Sequence, residues 1–204
     1  MHRTCLSMAA RILPLGVTGL LLVACSQTDP TATPPTADQS HPGGPTMRFP
    51  LTSTALAADQ PIPTQYTGDG RDISPPLAWG ALPPGTRELA LICDDPDAPR
   101  AKPWVHWVIY KLPPDLTGLP EALPAQAVLA APVAALQGKN DWGAIGYRGP
   151  APPRGHGTHH YHFKLYALDA TLDTPPGLSA SDLMSAMRGH ILGHGELVAT
   201  YERR

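Results

Sequence analysis

Apolar positions along this chain follow two periods. Leu89-Ala90-Leu91-Ile92-Cys93 and Val105 to Lys111 carry almost uninterrupted apolar side chains, the pattern of strands covered on both faces. From His160 to Leu168 the pattern alternates. Tyr161, Phe163, Leu165 and Ala167 share one face and His160, His162 and Lys164 the other, a period of two that predicts a strand. His159 falls on the Tyr161 face, the more apolar side, where an unpaired imidazole would be costly. Arg48-Phe49-Pro50-Leu51 and Pro63 to Thr67 predict two more strands, the second ending at the Gly68-Asp69-Gly70 turn. Ser74 to Trp79 must run extended, because residues before proline avoid helical dihedrals. The helical period is clear once. Ser179 stands three residues before Asp182, and Ala180, Leu183, Met184, Met187 and Ile191 recur on one face, with Gly189 and Gly193 marking the end. Leu197 to Tyr201 reads as a last strand or an extended tail. The fold class is therefore mainly β, a β-rich α+β domain with peripheral helices.

The ends carry a different message. Arg3 and Arg11 precede an uncharged apolar run, Ile12 to Ala24, that is short for a bilayer span but has the anatomy of a secretory signal. Residues 1–24 are read as that signal. The segment Leu22-Val23-Ala24-Cys25 resembles a bacterial lipobox, so Cys25 is expected to become a lipidated N-terminus; the other reading is an ordinary signal peptide cut nearby. Residues 25–46, rich in Thr, Pro, Ala and Gly, lack the apolar bulk to offset ordering and are read as a tether. The domain occupies 47–204. These readings place the protein outside the bacterial cytoplasm, anchored in the cell envelope. Cys93 is then the sole thiol of the domain, so no intrachain disulfide can form.

Composition sharpens the class. With 26 prolines and 19 glycines, the chain is turn-rich. A net charge of −2 from nearly balanced acids and bases supplies no footprint for nucleic acid, which is excluded as a partner.

Candidate chemistry gathers at strand ends. Asp94-Asp95-Pro96-Asp97-Ala98-Pro99 is a proline-stiffened acidic turn directly after an apolar strand, a place where either a structural turn or a cis X-Pro bond is at home. His106 lies between Trp104 and Trp107. A carboxylate such as Asp95 beside it would favour the imidazolium and make an anion receptor, with affinity falling as pH rises. The Gly146 to Gly155 loop keeps a free N–H at Ala151 between two prolines. His156, His159, His160 and His162 raise the question of a metal, but no His-Glu-x-x-His or paired cysteines accompany them. No P-loop and no Gly-x-Ser-x-Gly elbow occur either, and no cofactor is expected.

Asp95-Pro96-Asp97-Ala98-Pro99, then Trp104-Val105-His106-Trp107, then the run from Gly146 to Asp169 resemble the phosphatidylethanolamine-binding protein family, in particular its bacterial Raf-kinase-inhibitor-like branch. Tyr66 to Gly70, Ile73 to Trp79 and Gly189 to Leu192 add to the resemblance, which covers Met47 to the C-terminus. The resemblance implies a large antiparallel sheet, a smaller second sheet and flanking helices. It also implies a pocket for phosphate-like anions made by Asp95, Asp97, His106, the Ala151 backbone, His159 and Tyr161. Ala151 replaces the cysteine or glycine of many bacterial relatives and retains the amide donor. His160 replaces an arginine, removing a permanent charge.

The expected function is a lipid-anchored binding protein for phosphate or a phospholipid head group, regulating a partner such as a protease or kinase. The alternative is a hydrolase using the Asp/His groups for acid/base chemistry on a phosphoester or peptide, although no nucleophile accompanies them. Bacterial relatives often pair, which leaves a homodimer open.

Overall fold

The computed structural model describes residues 46–204. The signal, Cys25 and all but the last residue of the tether segment lie outside those residues. Among the described residues no helix is long and apolar enough to cross a membrane.

The three patterned segments become the centre of the molecule. Strand β4 (Glu88–Asp95) lies between β5 (Trp104–Leu112) and β9 (His159–Leu168), antiparallel to both. Strand β10 (Ile191–Tyr201) runs antiparallel on the far side of β9, and β1 (Met47–Arg48) pairs with β10 in parallel. Beyond β5 come two short strands, β8 (Ala135–Gln137) and β7 (Val128–Leu129), completing a seven-stranded sheet in the order β1-β10-β9-β4-β5-β8-β7. The expected antiparallel sheet is therefore mixed at one edge. The smaller sheet has the order β2 (Leu51–Thr52), β3 (Leu77–Trp79), β6 (Gly118–Leu119).

Why β4 and β5 are apolar on both faces is now plain. Leu89, Leu91, Cys93, Trp107 and Ile109 pack with Leu51, Leu77, Trp79 and Leu119 of the small sheet. On the opposite face Ala90, Ile92, Val108 and Tyr110 meet Leu183 and Met187 of helix α1 (Ala180–Met187). Sheet, sheet and helix form three layers, with the largest apolar burial in the middle. Helix α1 begins as its sequence demands: the Ser179 hydroxyl accepts from the Asp182 amide at 3.2 Å and donates to its carboxylate at 2.7 Å.

Three expectations change, the first being Arg48 to Leu51, which is not one strand but is split between β1 and β2 in different sheets. Pro63 to Thr67 is not a strand; Thr64–Tyr66 is a 3-10 turn, closed by the Thr67 hydroxyl donating to the Thr64 carbonyl at 2.9 Å. Nor does the helix reach Ile191 and Gly193, which belong to β10. A Cβ on Gly193 would stand 2.5 Å from the Met47 carbonyl oxygen, and one on Gly195 would stand 2.8 Å from that of Phe49. Those glycines admit the N-terminal strand; they do not end a helix. Gly189, at φ +84, does follow the helix C-terminus.

Candidate functional site

Strand pairing brings the acidic turn, the mid-strand histidine and the start of β9 to the same end of the sheet. Asp95 pairs with Trp104 across β4 and β5, and Asp94 with His162 across β4 and β9. A hollow of about 210 Å³ opens there. Asp95, His106, His159 and Tyr161 contribute to its wall, and Ala151 does so from the proline-rich loop.

Asp97 is not in the wall. Its Oδ2 accepts from the His160 amide at 2.8 Å and from the His160 ring at 2.7 Å, on the exposed side of β9. Burial pushes the Asp97 carboxyl up, but the His160 ring and amide outweigh it and hold the group below its ordinary value. Asp97 thus ties the acidic turn to β9, with His160 as its partner. The turn's peptide bonds are trans; the cis bond among the described residues is Ala131–Pro132.

Asp95 lies deep. One oxygen accepts from the Asp97 amide at 2.9 Å and the other faces His159 Nδ1 at 2.7 Å. His159 is 1% exposed, so this carboxylate is what makes its burial on the apolar face tolerable. On its other side His159 Nε2 meets His156 Nδ1 at 2.8 Å, extending the chain from Asp95 to the surface. The expectation that Asp95 makes His106 an imidazolium receptor is therefore overturned, because Asp95 is hydrogen-bonded to His159 instead. The His106 Nδ1 donates to the Arg148 carbonyl at 2.6 Å, because a carbonyl only accepts, and this leaves Nε2 as an acceptor in the neutral ring. Burial pushes the His106 pKa below its ordinary value, against the raising effects of that carbonyl and of Asp95. His106 is neutral at neutral pH and is no imidazolium receptor.

Tyr161 is buried and its hydroxyl has no protein partner; the same holds for the indole nitrogen of Trp104, also in the wall. Burial, then the Asp95 charge, pushes the Tyr161 pKa far up, so the phenol stays a donor. Tyr161 and His106 meet edge to face at 5.1 Å. No protein acceptor takes the Ala151 N–H among the described residues. Its loop sits tightly on the 3-10 turn: a Cβ on Gly149 would lie 2.3 Å from the Tyr66 carbonyl oxygen, and Gly149 N–H donates to Asp72 at 2.6 Å.

Sequence reasoning did not reach the mouth of the hollow. Trp142 is there, packed edge-on against Trp104 and His106 at 5.0 Å each. It is held by a turn in which Asn140 Oδ1 accepts the amides of Trp142 and Ala144, both at 3.1 Å. The readable signal was Asn140-Asp141-Trp142-Gly143, an Asn-anchored turn presenting an aromatic. Arg100 stacks over Trp104 at 3.7 Å, and Arg148 over Trp142 at 4.9 Å.

No Ser, Thr or Cys lines the hollow; its ionisable wall groups are Asp95, Arg100, His106, His159 and Tyr161. Among the described residues no three His, Cys, Asp or Glu side chains are grouped to hold a metal. Cys93 is buried and free, its pKa pushed well up by burial.

Known proteins are similar to this chain in sequence and fold. A UPF0098 protein of Methanothermobacter thermautotrophicus is 54% identical over 142 residues, 70% of this chain and 91% of its own. A crystal structure of a phosphatidylethanolamine-binding protein homologue, CT736 of Chlamydia trachomatis, aligns at 38% identity and TM-score 0.69, covering 77% of this chain and 99% of that one. E. coli YbcL, described as a member of the mammalian family, aligns at 30% identity and TM-score 0.71, covering 76% and 99%. The sequence model of the phosphatidylethanolamine-binding protein family matches residues 52–202, and this chain belongs to that family.

Proposed function

We propose that the domain is a binding protein for phosphate-like anions, the phosphoryl group entering the hollow between β4, β5 and β9. The observation that carries this reading is the Tyr161 hydroxyl, buried, unpartnered and kept protonated in the wall of an open hollow. A buried donor without an acceptor is costly, and a phosphoryl oxygen would remove the cost. Trp104 Nε1 and the Ala151 amide add donors. The neutral His106 suits a phosphoryl group that still holds one proton, which Nε2 accepts. Affinity therefore falls as pH rises through the ligand's second ionisation, the direction expected from the sequence but for a different cause.

Titration calorimetry with inorganic phosphate at pH 6 and pH 8 tests this. Wild type should bind more tightly at pH 6, and Tyr161→Phe should lose about tenfold, the scale of one hydrogen bond to a charged group. Equal binding by wild type and Tyr161→Phe would remove the basis of the reading.

Export and lipid anchoring through Cys25 complete the proposal, with the hollow presented to a head group or a partner protein at the bacterial envelope, as a monomer or a homodimer. Support comes from the apolar run before Leu22-Val23-Ala24-Cys25. Expressed in a bacterium, the full chain should enter the detergent phase on Triton X-114 partition, and Cys25→Ser should move it to the aqueous phase. Identical partition of the two would reject the anchor.

A further inference from the structure

Asp95 has a buried counterpart at the other end of β4. Glu88, the first residue of that strand, is 3% exposed and lies outside the hollow. Its Oε2 accepts from the Leu172 amide at 3.1 Å, while Oε1 is buried without a protein partner. A carboxylate so placed has lost its water and replaced only part of it. Burial accordingly pushes the Glu88 carboxyl above its ordinary value; the Leu172 amide, the Lys111 charge and the Lys111 amide offset this only in part.

The segment that lies on Glu88 is a strap, residues 169–178, leading from β9 to α1 without regular structure of its own. Leu172 is fastened twice, its amide to Glu88 and its carbonyl to Lys111 Nζ. Lys111 stands at φ +56, where the register of β4 and β5 shifts between Leu89 and Leu91. Further along, the Tyr110 hydroxyl donates to the Pro175 carbonyl at 2.5 Å and accepts from the Leu178 amide at 3.3 Å. Between these fastenings the Thr174 hydroxyl is buried without a protein partner. From β9 the residue paired with Glu88 is Leu168, which is apolar. Arg87 and Asp173 are exposed, and Asp169 faces the His190 ring at 2.9 Å. Lys111 is therefore the charge that acts on Glu88.

We propose that Glu88 is a latch: with its carboxyl protonated the strap stays closed on β4 and β5, and ionisation favours its release. Opening returns the carboxyl to water and to its ordinary acidity, so the open form gives up the proton first. The latch is fully engaged below the ordinary glutamate value and is lost as pH rises through the higher value of the closed form. Opening gains about tenfold for each pH unit between the two and levels off above them. The hollow at the far end of β4 takes no part in this.

Hydrogen exchange on the full chain at pH 5 and pH 8, each rate divided by that of an unstructured peptide at the same pH, tests the latch. In the wild type, opening at the Leu172 and Gly177 amides should increase several-fold at pH 8 while Leu91 and Phe163 keep their protection. Glu88→Gln, of equal size and uncharged, should open to the same extent at both pH values. Lys111→Met removes the charge that favours the carboxylate and should enlarge the increase. A carbon-13 titration of the wild type needs no variant to fold: the Glu88 carboxyl should titrate above free glutamate. Titration at or below the free value, or an equal increase in Glu88→Gln, would overturn the proposal.

Discussion

Two buried histidines in one wall are stabilised in opposite ways. His159 has a carboxylate on Nδ1; His106 has only a carbonyl there, and burial holds its pKa below 6.5. The unfolded chain therefore binds a proton at His106 that the folded chain refuses. This contribution is intact above pH 6.5 and is lost as pH falls from there through the lowered folded value. The melting temperature of the wild type should decline across that window, and His106→Gln should flatten the decline. An unchanged slope in the variant would mean that the folded ring is already charged. The motif residues themselves were legible in the sequence, since Asp95, His106, His159 and Tyr161 stand in short patterns beside strong strands. Their partners were not. Which histidine meets Asp95 depends on strand register, and a period-two pattern specifies faces, not the residue across the gap. Asp97 shows the same limit: it follows Asp95 by two residues, yet its amide donates to the Asp95 carboxylate while its own carboxylate accepts from His160 on the exposed side of β9.

At the level of elements, legibility followed length. Strands of eight to ten residues, β4, β5 and β9, carry enough periodic side chains to be read directly. Strands β6, β7 and β8 have two or three residues each and exist because a longer neighbour offers hydrogen bonds. Strand β10 was read only in its second half, because Gly193 and Gly195 serve close packing against Met47 and Phe49 and look like breakers in isolation. Helix α1 is the opposite case, a local signal realised locally. Its Ser179 satisfies the Asp182 amide on an exposed surface, so Ser179→Ala should cost about 1 kcal/mol in denaturant unfolding. With α1 covering Ala90, Ile92, Val108 and Tyr110, a variant that loses nothing would mean that tertiary packing alone fixes the helix start.

Across the whole molecule, the hollow depends on contacts between distant parts of the chain. The Ala151 loop is held from the N-terminal side by Gly68 N–H donating to the Pro150 carbonyl at 2.8 Å and by Tyr147 donating to the Tyr66 carbonyl at 2.6 Å. From the C-terminal side Gly155 N–H donates to the Arg203 carbonyl at 3.1 Å, and Arg154 donates to that of Arg204. The two sides are joined by Asp69, which accepts from Tyr201 at 3.0 Å and from Arg203 Nε at 2.8 Å. The Arg203 hydrogen bond is the largest influence on Asp69 and holds its carboxyl below its ordinary value, although burial opposes it. A bidentate guanidinium–carboxylate contact at the surface adds little to global stability, but here it fixes where the tail crosses the loop. Arg203→Ala should therefore leave global unfolding nearly unchanged and act locally. Hydrogen exchange at the Gly155 amide should quicken several-fold while Leu91 and Phe163, in the middle of the large sheet, keep their protection. Phosphate affinity should weaken in step, because the Ala151 amide is no longer held in one place. Full protection at Gly155 in that variant would show that the loop is rigid through its prolines alone, with the tail a passenger.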